Sequence, residues 1–163
     1  MVRQFDKCED YRDVLITDFT DPVFQAAFKQ YFGELGINVK DWDGLFQEMN
    51  TESEGEKNAA YVRMAADGSA IGFIQFVLIR FTSWFFGETA GFIREFWVAE
   101  AFRNQGNGAD LLALAEKHFL ERGIYTTILT TDTAERFYER HGYVRAHGCE
   151  AKNKDEVFAK RMK

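Results

Sequence analysis

One segment of the sequence has the composition that anion binding requires. It reads Arg103-Asn104-Gln105-Gly106-Asn107-Gly108 and follows a strand-like stretch that ends at Val98. If this segment opens a helix, several free backbone N–H groups and the positive end of a helix dipole meet at one point. Glycine lets phosphate oxygens approach the backbone closely, and Arg103 can either contact the anion or fix the turn. The segment therefore predicts a phosphate-binding turn.

Two commoner phosphate-binding motifs do not fit this turn. A dinucleotide-binding fingerprint needs a third glycine at position 111, where the chain has Leu111. A loop that binds nucleoside triphosphates needs Gly-Lys-Ser or Gly-Lys-Thr, and the sequence contains neither. Because glycine pairs are common at helix starts, the turn alone does not identify its ligand.

A second segment lies downstream and reads Ala134-Glu135-Arg136-Phe137-Tyr138-Glu139-Arg140-His141-Gly142-Tyr143. Together with the stretch from Val98 to Leu112, it resembles the GCN5-related N-acetyltransferase superfamily. The two motifs stand at the separation usual in that family, and the resemblance covers about residues 60 to 145. Their conjunction is far more specific than either motif alone.

The resemblance implies an α/β (α+β) fold with a mixed, mostly antiparallel sheet of about six or seven strands, splayed in the middle and flanked by helices. Acetyl-CoA would lie in the V-shaped gap between two central strands. Backbone groups of the first of these strands would bind the pantetheine arm, and amides of the turn would bind the pyrophosphate. The cofactor-binding residues expected on this basis are Phe96, Trp97, Val98, Arg103, Asn104, Gln105, Gly106, Asn107, Gly108, Ala109 and Thr131.

The resemblance also assigns Tyr138 to the general-acid position beside the thioester sulfur. When an amine attacks a thioester, negative charge passes to the departing sulfur, and a phenol within hydrogen-bond reach can protonate or stabilise that thiolate. The alternative is that Tyr138 only packs beside Phe137.

A general base is needed as well, because a protonated amine must lose its proton before it attacks. Glu95 is the only nearby carboxylate on a predicted element, and we take it as the candidate base. The glutamate of some family members aligns best with Arg94, so a water chain to solvent is the alternative. Two further departures from the family pattern are Thr131, where Asn is frequent, and Glu100, where Pro is frequent.

Composition limits the remaining classes of function. The 163 residues, 46% of them hydrophobic, suffice for one domain over residues 1–163. The net charge of −6 and the lack of a Lys/Arg cluster argue against a nucleic-acid partner. The most apolar run, Ala70 to Ile79, is too short for a membrane span, and the first residues lack signal-peptide features, so we expect a cytoplasmic protein. Cys8, Cys149 and the histidines lack metal-site spacing, so we expect no metal.

An acidic stretch from 41 to 56 could attract a cationic amine, although a solvated loop is the favoured interpretation.

The elements that must position these residues follow from hydrophobic spacing and turn residues. The predicted helices are 22–34, 39–49, one from the glycine turn to Gly123, and one from a capping box at Asp132 and Glu135 to Gly142. The predicted strands are 12–17, 60–64, 70–81, 92–98, 125–130, 144–147 and 156–159, with a loop at 50–58 and a turn at 87–89.

An aromatic hairpin segment, Phe81, Trp84, Phe85 and Phe86, could line the acceptor site, form a homodimer contact or belong to the core.

The sequence as a whole predicts transfer of an acetyl or other small acyl group from acetyl-CoA to a primary amine, by direct attack and without a covalent enzyme intermediate. Polyamine, amino acid, aminoglycoside and peptide amines are all open as acceptors. A silent CoA-binding module and a pure interaction domain are the alternatives.

Overall fold

A mixed sheet with helices on both faces forms the framework of the protein. The computed structural model describes residues 10–53, 58–82, 87–148 and 150–162. Within these ranges, seven strands form one sheet in the order β1-β2-β3-β4-β5-β7-β6. The strands are β1 (Tyr11–Ile16), β2 (Ala59–Ala65), β3 (Ala70–Thr82), β4 (Gly87–Val98), β5 (Thr126–Thr131), β6 (Val144–Arg145) and β7 (Glu156–Arg161). The helices are α1 (Pro22–Leu35), α2 (Trp42–Ser53), α3 (Asn107–Leu120) and α4 (Glu135–Arg140), with a 3₁₀ turn at Glu100–Phe102.

Helices α1 and α2 cover one face of the sheet, which we call the α1/α2 face. Helix α1 begins where the Asp21 side chain accepts a hydrogen bond from the Val23 N–H at 2.8 Å, with Pro22 in the first turn, as the sequence predicts. Its buried aromatic stripe packs on Phe73 of β3, with Phe24 at a ring-centroid distance of 5.8 Å. The helix is therefore held by burial of its apolar stripe.

Helices α3 and α4 cover the opposite face, which we call the α3/α4 face. Phe119 of α3 lies directly on Gly91 of β4, where a Cβ atom would come within 2.3 Å of the ring. A larger residue at 91 would push α3 away from the sheet, because real Cβ atoms do not approach that closely. Gly91 thus sets the depth at which α3 sits.

Strands β4 and β5 diverge in the middle of the sheet. They are the parallel neighbours of the sheet, and they pair only through Gly91 with Thr127 and Phe92 with Ile128. Beyond that point β4 stays paired with β3 as far as Val98, while β5 stays paired with β7. A gap therefore opens from Phe92 toward Val98, which confirms the predicted fold class and its splayed sheet.

A β-bulge in β4 changes which side chains meet the helices. Gln75 of β3 pairs with Glu95, but the next residue, Phe76, pairs with Ile93, so Arg94 is an extra residue in β4. Arg94 forms an ion pair with Glu52 of α2, and Glu95 accepts a hydrogen bond from α1. Two consecutive residues thus project on the α1/α2 face, which is a known consequence of a bulge.

Several predicted boundaries were wrong. The predicted turn at 87–89 is part of β4, because cross-strand pairing with β3 continues to Gly87, and α2 extends into the predicted loop as far as Ser53. The predicted stop of α3 at Gly123 is confirmed: the last helical residue is Leu120, Gly123 has a left-handed φ of 72°, and the Ile124 N–H bonds the Phe119 carbonyl, which closes the helix end. Asp132 does not cap α4, because the residue that precedes this helix is Ala134 and no side chain of the described residues caps it. The aromatic segment 84–86 lies outside the described residues.

His118, on α3, provides a test of the packing on the α3/α4 face. Burial, with a smaller effect of the Arg122 charge, lowers its pKa below the ordinary 6.5, and its ring lies 4.7 Å from that of Phe76. Because the unfolded chain binds the proton more readily, the neutral ring stabilises the fold above about pH 6.5, and this stability is lost as the pH falls. Between pH 7 and pH 5, the free energy of unfolding measured in urea should fall more in the wild type than in His118→Phe. Equal losses would contradict this assignment.

Candidate active site

The gap between β4 and β5 opens into a cleft of about 1180 Å³ at the start of α3. Its walls come from the end of β4, the loop into α3, and the loop and helix after β5. The lining residues are Val98, Phe102, Arg103, Asn104, Gly106, Gly108, Ala109, Asp132, Thr133, Ala134, Glu135, Arg136, Phe137, Arg140 and His141. Both motifs found in the sequence thus contribute to one cleft.

The predicted phosphate-binding turn forms one wall of this cleft. Gly106 is the residue that precedes α3, and its φ of 85° lies in the left-handed region, as does the φ of 60° at Asn104. The Asp110 N–H bonds the Gly106 carbonyl at 3.1 Å, which starts the helix. Within the part of the chain that the structure describes, the backbone N–H groups from 104 to 109 have no hydrogen-bond acceptor. Such a run of free donors at a helix N-terminus suits an anion.

The side chains of Gln105 and Asn107 hydrogen-bond to carbonyls of the residues just before the turn and help to hold it in place. The buried Asn107 side chain donates to the Phe102 carbonyl at 3.0 Å and accepts from Arg63 at 3.1 Å. Gln105 donates to the Ala101 carbonyl at 3.1 Å. At both positions it is the backbone, rather than the side chain, that is available to a ligand.

Arg103 fixes the turn in this structure, which is one of the two roles that the sequence allows. Its Nε donates to the Val98 carbonyl at 2.9 Å, and its Nη2 donates to Glu34 of α1 at 2.9 Å. Glu34 also accepts from the Trp97 indole at 2.8 Å and from the Glu100 N–H at 3.1 Å. Burial acts to raise the pKa of Glu34, but these hydrogen bonds outweigh it and the pKa is lowered. The carboxylate therefore links α1 to the loop that precedes α3.

The end of β4 forms the floor of the gap. The side chain of Trp97 is buried on the α1/α2 face, while Phe96 and Val98 pack on the α3/α4 face. Beyond Phe92 this strand has no partner on the β5 side among the described residues, and a strand directs part of its backbone N–H and C=O groups to each side. Backbone groups of residues 96–98 that face the gap are thus open to an extended ligand, except the Val98 carbonyl, which already accepts from Arg103.

Tyr138 lies near the narrow end of the gap. Its side chain is 6% exposed and its ring packs against Phe96 at 6.5 Å, Phe137 at 5.2 Å and Tyr143 at 5.6 Å. Phe137 lines the open cleft, whereas Tyr138 does not and packs on Phe96 instead. Phe96 is two residues closer than Val98 to the point where β4 and β5 pair, which is the narrow end of the gap. Among the described residues, nothing forms a hydrogen bond with the Tyr138 hydroxyl. Burial raises the pKa of Tyr138 to about 12, so this hydroxyl is a neutral donor at physiological pH.

Glu95 lies on the opposite face from Tyr138, although it is next to Phe96 in the chain. Its Oε2 accepts a hydrogen bond from the Tyr31 hydroxyl of α1 at 2.9 Å. Burial, and then the Glu95 charge, raise the pKa of Tyr31. The structure therefore places Glu95 and Tyr138 on different sides of the sheet, with Tyr138 against Phe96, the residue that follows Glu95.

Thr131, the last cofactor-binding candidate, is buried at the end of β5. Its hydroxyl oxygen accepts a hydrogen bond from the Ala134 N–H at 3.0 Å, which shapes the turn into α4. The structure gives this hydroxyl a local structural contact.

Gln75 and Asn58 have buried side-chain amide atoms without hydrogen-bond partners among the described residues. Gln75, directly across from Glu95 on β3, buries its Nε2, and Asn58 buries both polar atoms of its side chain amide. A buried polar group without a partner costs about 1–3 kcal/mol, so these groups are suited to a bound water or to a ligand. Sequence analysis did not single them out, since a polar residue at the start of a strand or within it carries no specific signal.

Two charged residues that shape the turn were also missed. Arg63 and Glu34 both contact it, yet each lies far from it in sequence. For Arg63 a signal existed, because a charge in the middle of the apolar strand Ala60-Tyr61-Val62-Arg63-Met64 implies a buried partner. For Glu34 there was none.

No helix within the described ranges is both long and apolar enough to cross a membrane. Over the same residues, no group of three or more His, Cys, Asp and Glu side chains is arranged to hold a metal ion.

Comparison with known proteins shows the family and the fold. The family model described as "Acetyltransferase (GNAT) family" matches residues 15–143. A search of curated proteins finds no match.

Solved structures with the same fold include three acetyltransferases. One, a GNAT-family acetyltransferase from Staphylococcus aureus Mu50, is 14% identical with a TM-score of 0.65 and covers 93% of this chain and 100% of its own. Glucosamine-6-phosphate N-acetyltransferase from Arabidopsis thaliana is 19% identical with a TM-score of 0.70, over 88% of this chain and 98% of its own. A predicted acetyltransferase from Clostridium acetobutylicum, solved with acetyl-CoA, is 16% identical with a TM-score of 0.67, over 87% and 94%. At these identities the likeness establishes a common fold.

Proposed function

Since the chain belongs to the GNAT family of acetyltransferases, we propose that it transfers an acetyl group from acetyl-CoA to a primary amine. The observation that carries this proposal is the run of unpaired N–H groups from 104 to 109, at the wide end of a gap whose narrow end holds Tyr138. A donor that carries a pyrophosphate and a thioester needs an anion-binding turn for the pyrophosphate and a hydrogen-bond donor for the departing sulfur, and this gap offers a candidate for each.

The donor would be bound mainly by backbone groups. The amides from 104 to 109 hold the pyrophosphate, and the gap-facing groups of Phe96, Trp97 and Val98 bind the amides of the pantetheine arm as an added strand would. Arg103 acts indirectly, by holding the Val98 carbonyl and Glu34. Bound in this way, the thioester lies toward the narrow end of the gap, near Phe96 and Tyr138.

In the reaction, the amine lone pair forms the new C–N bond, and the C–S bond breaks with its electron pair passing to sulfur. The Tyr138 hydroxyl donates a hydrogen bond to that sulfur. A phenol with a pKa of about 12 transfers its proton unfavourably to a thiolate whose conjugate acid has a pKa of roughly 8.5. Tyr138 therefore stabilises the CoA thiolate by hydrogen bonding rather than by protonating it. The thiolate takes a proton from solvent after release.

Glu95 receives the proton of the amine in this proposal, with Tyr31 holding its carboxylate in place at 2.9 Å. In this proposal the acceptor lies on the α1/α2 side of the sheet, as Glu95 does, close to Gln75. The amine and the donor would then approach the gap from opposite faces.

Replacing Glu95 with Gln should lower kcat/KM for the amine by roughly tenfold at neutral pH, because the acceptor ammonium loses its base. The loss should shrink as the pH rises and the amine becomes neutral in solution. Steady-state rates over a series of pH values test this, with Glu52→Gln as the control, since Glu52 is an exposed carboxylate of α2 on the same face. A loss that is equal at every pH, or no loss, would assign proton removal to a water chain.

The proposed function is tested by measuring free thiol released from acetyl-CoA in the presence of polyamines, amino acids, amino sugars, aminoglycosides and peptides. Transfer to at least one of these amines, with a 1:1 ratio of thiol to acetylated product, is the expected result. Binding of CoA without transfer to any of them would favour a silent CoA-binding module. No affinity for CoA would favour an interaction domain.

A further inference from the structure

A buried guanidinium lies beneath the phosphate-binding turn. Arg63, in the middle of β2, projects on the α3/α4 face and has a side chain that is only 2% exposed. A buried charge is costly unless it is paired and its N–H groups are satisfied, so such a residue needs several partners. The structure provides them from two directions.

One side of the guanidinium is anchored by β1. Its Nε and Nη2 atoms donate to the two carboxylate oxygens of Asp13 at 2.8 and 3.0 Å, which is the bidentate geometry that only arginine can form. The guanidinium carbon lies 3.8 Å from the centroid of the Tyr11 ring. These contacts fix the plane of the group.

The other side reaches the first turn of α3. The Nη1 atom donates to Asp110 at 2.7 Å and to Asn107 at 3.1 Å. Asn107 in turn donates to the Phe102 carbonyl, on the far side of the turn. One cation thus connects the sheet to both ends of the segment whose backbone N–H groups are unpaired.

Charge provides a second reason for the arrangement. Asp110 stands in the first turn of α3, where a carboxylate is favoured by the helix dipole but repels any anion that binds to the same amides. The ion pair with Arg63 offsets part of that negative charge, since the same guanidinium also pairs with Asp13. The turn can then attract a pyrophosphate although an aspartate lies within it.

We propose that Arg63 is a positioning residue for the pyrophosphate of the acyl donor: it holds the turn of α3 in its anion-binding form and offsets part of the charge of Asp110. The inference rests on the proposed function, because it concerns the same donor site. It predicts that Arg63 matters only for donors that carry a pyrophosphate.

Three ligands separate this role from general stabilisation of the fold. CoA and 3′-dephospho-CoA both contain the pyrophosphate, and pantetheine lacks it. Arg63→Lys keeps the charge but cannot form the bidentate pair with Asp13. In this variant the Kd values of CoA and 3′-dephospho-CoA should each rise roughly tenfold, while the Kd of pantetheine stays within about twofold of its wild-type value. In the transfer assay, KM for acetyl-CoA should rise by a similar factor, with kcat at saturation nearly unchanged.

Two further variants complete the experiment. Asp13→Asn leaves α3 and Arg63 in place but weakens the anchor, so it should raise the Kd of CoA by roughly threefold even if Arg63→Lys folds poorly. Arg122→Met is the control, because Arg122 bonds the His118 carbonyl near the other end of α3 and should leave all three Kd values unchanged.

The outcomes distinguish the two levels of the proposal. If the wild-type chain does not bind CoA, the donor site itself is wrong. If it binds CoA and the Arg63 and Asp13 variants leave its Kd unchanged, or weaken pantetheine equally, then the positioning role is wrong and the proposed function stands.

Discussion

Replacing Tyr138 with Phe is expected to lower kcat by roughly ten- to ten-thousand-fold, with little change in the affinity for CoA. The substitution removes one hydroxyl and leaves the ring that packs on Phe96 and Phe137. The lost hydrogen bond is made only as the sulfur gains charge, so the effect falls on the chemical step. The hydroxyl forms no hydrogen bond with the other residues that the structure describes, so the variant should be at least as stable as the wild type.

Rates at saturating acetyl-CoA and amine, together with the Kd of CoA, test this expectation. Tyr143→Phe is the matched control, because Tyr143 is equally buried and its ring lies 5.6 Å from that of Tyr138, but its hydroxyl bonds Glu116 at 3.2 Å. The control should lose stability and keep its kcat. An unchanged kcat in Tyr138→Phe would remove Tyr138 from the mechanism.

The pH dependence gives an independent check. Because burial raises the pKa of Tyr138 to about 12, the phenol stays protonated up to that pH, and its titration cannot shape the rate profile in the neutral range. From pH 6 to pH 10, the profiles of log kcat for the wild type and Tyr138→Phe should therefore run parallel. Profiles that converge at high pH within this range would indicate that Tyr138 ionises there and would contradict its role as a neutral donor.

Replacing Gly106 with Val should weaken CoA binding by roughly 100-fold, which corresponds to about 2.7 kcal/mol. At Gly106 the φ angle is 85°, a region that β-branched residues avoid. The backbone must therefore leave this conformation, and the N–H groups from 104 to 109 no longer converge on one anion. Nothing lies within 4 Å of the position of a Cβ at 106, so the effect comes from the backbone rather than from a side-chain clash.

Gly68→Val is the matched control for this change. Gly68 is in the hairpin between β2 and β3, its φ is 86°, and it too has open space where a Cβ would lie. Both variants carry similar backbone strain and should lose similar stability in urea, while only Gly106→Val loses affinity for CoA in titration calorimetry. Equal CoA affinity in the two variants would contradict the assignment of the turn to the pyrophosphate.

The two sides of the proposed reaction are mechanically connected through α1. Tyr31 contacts Glu95 on the acceptor side, and Glu34, one turn further along the helix, contacts the loop into α3 on the donor side. One helix thus carries both contacts. The same helix is packed on Phe73 and is itself well anchored to the sheet.

Local sequence was sufficient for most elements of the fold. The spacing of apolar residues and the Asp21-Pro22 start located α1, and strand-like apolar runs on the two sides of a turn located β2 and β3. The glycine turn and the Phe137-Tyr138 segment were recognisable because the chemistry of each depends on neighbours in the chain. These features are set by interactions within a few residues, which a sequence displays directly.

Only the tertiary structure decided which side each candidate faces. The bulge at Arg94 turns Glu95 onto the α1/α2 face, and it arises from pairing with β3, which local spacing does not encode. The partners of Arg103 and the clamp by Arg63 also depend on elements that are distant in sequence. The sequence by itself therefore determined the family and, through the resemblance, the splayed sheet, and it predicted the phosphate-binding turn. Only the structure decided that Arg103 is held by Glu34 and Asn107 by Arg63, while the backbone N–H groups of the turn stay unpaired among the described residues, because these contacts join elements that are distant in sequence.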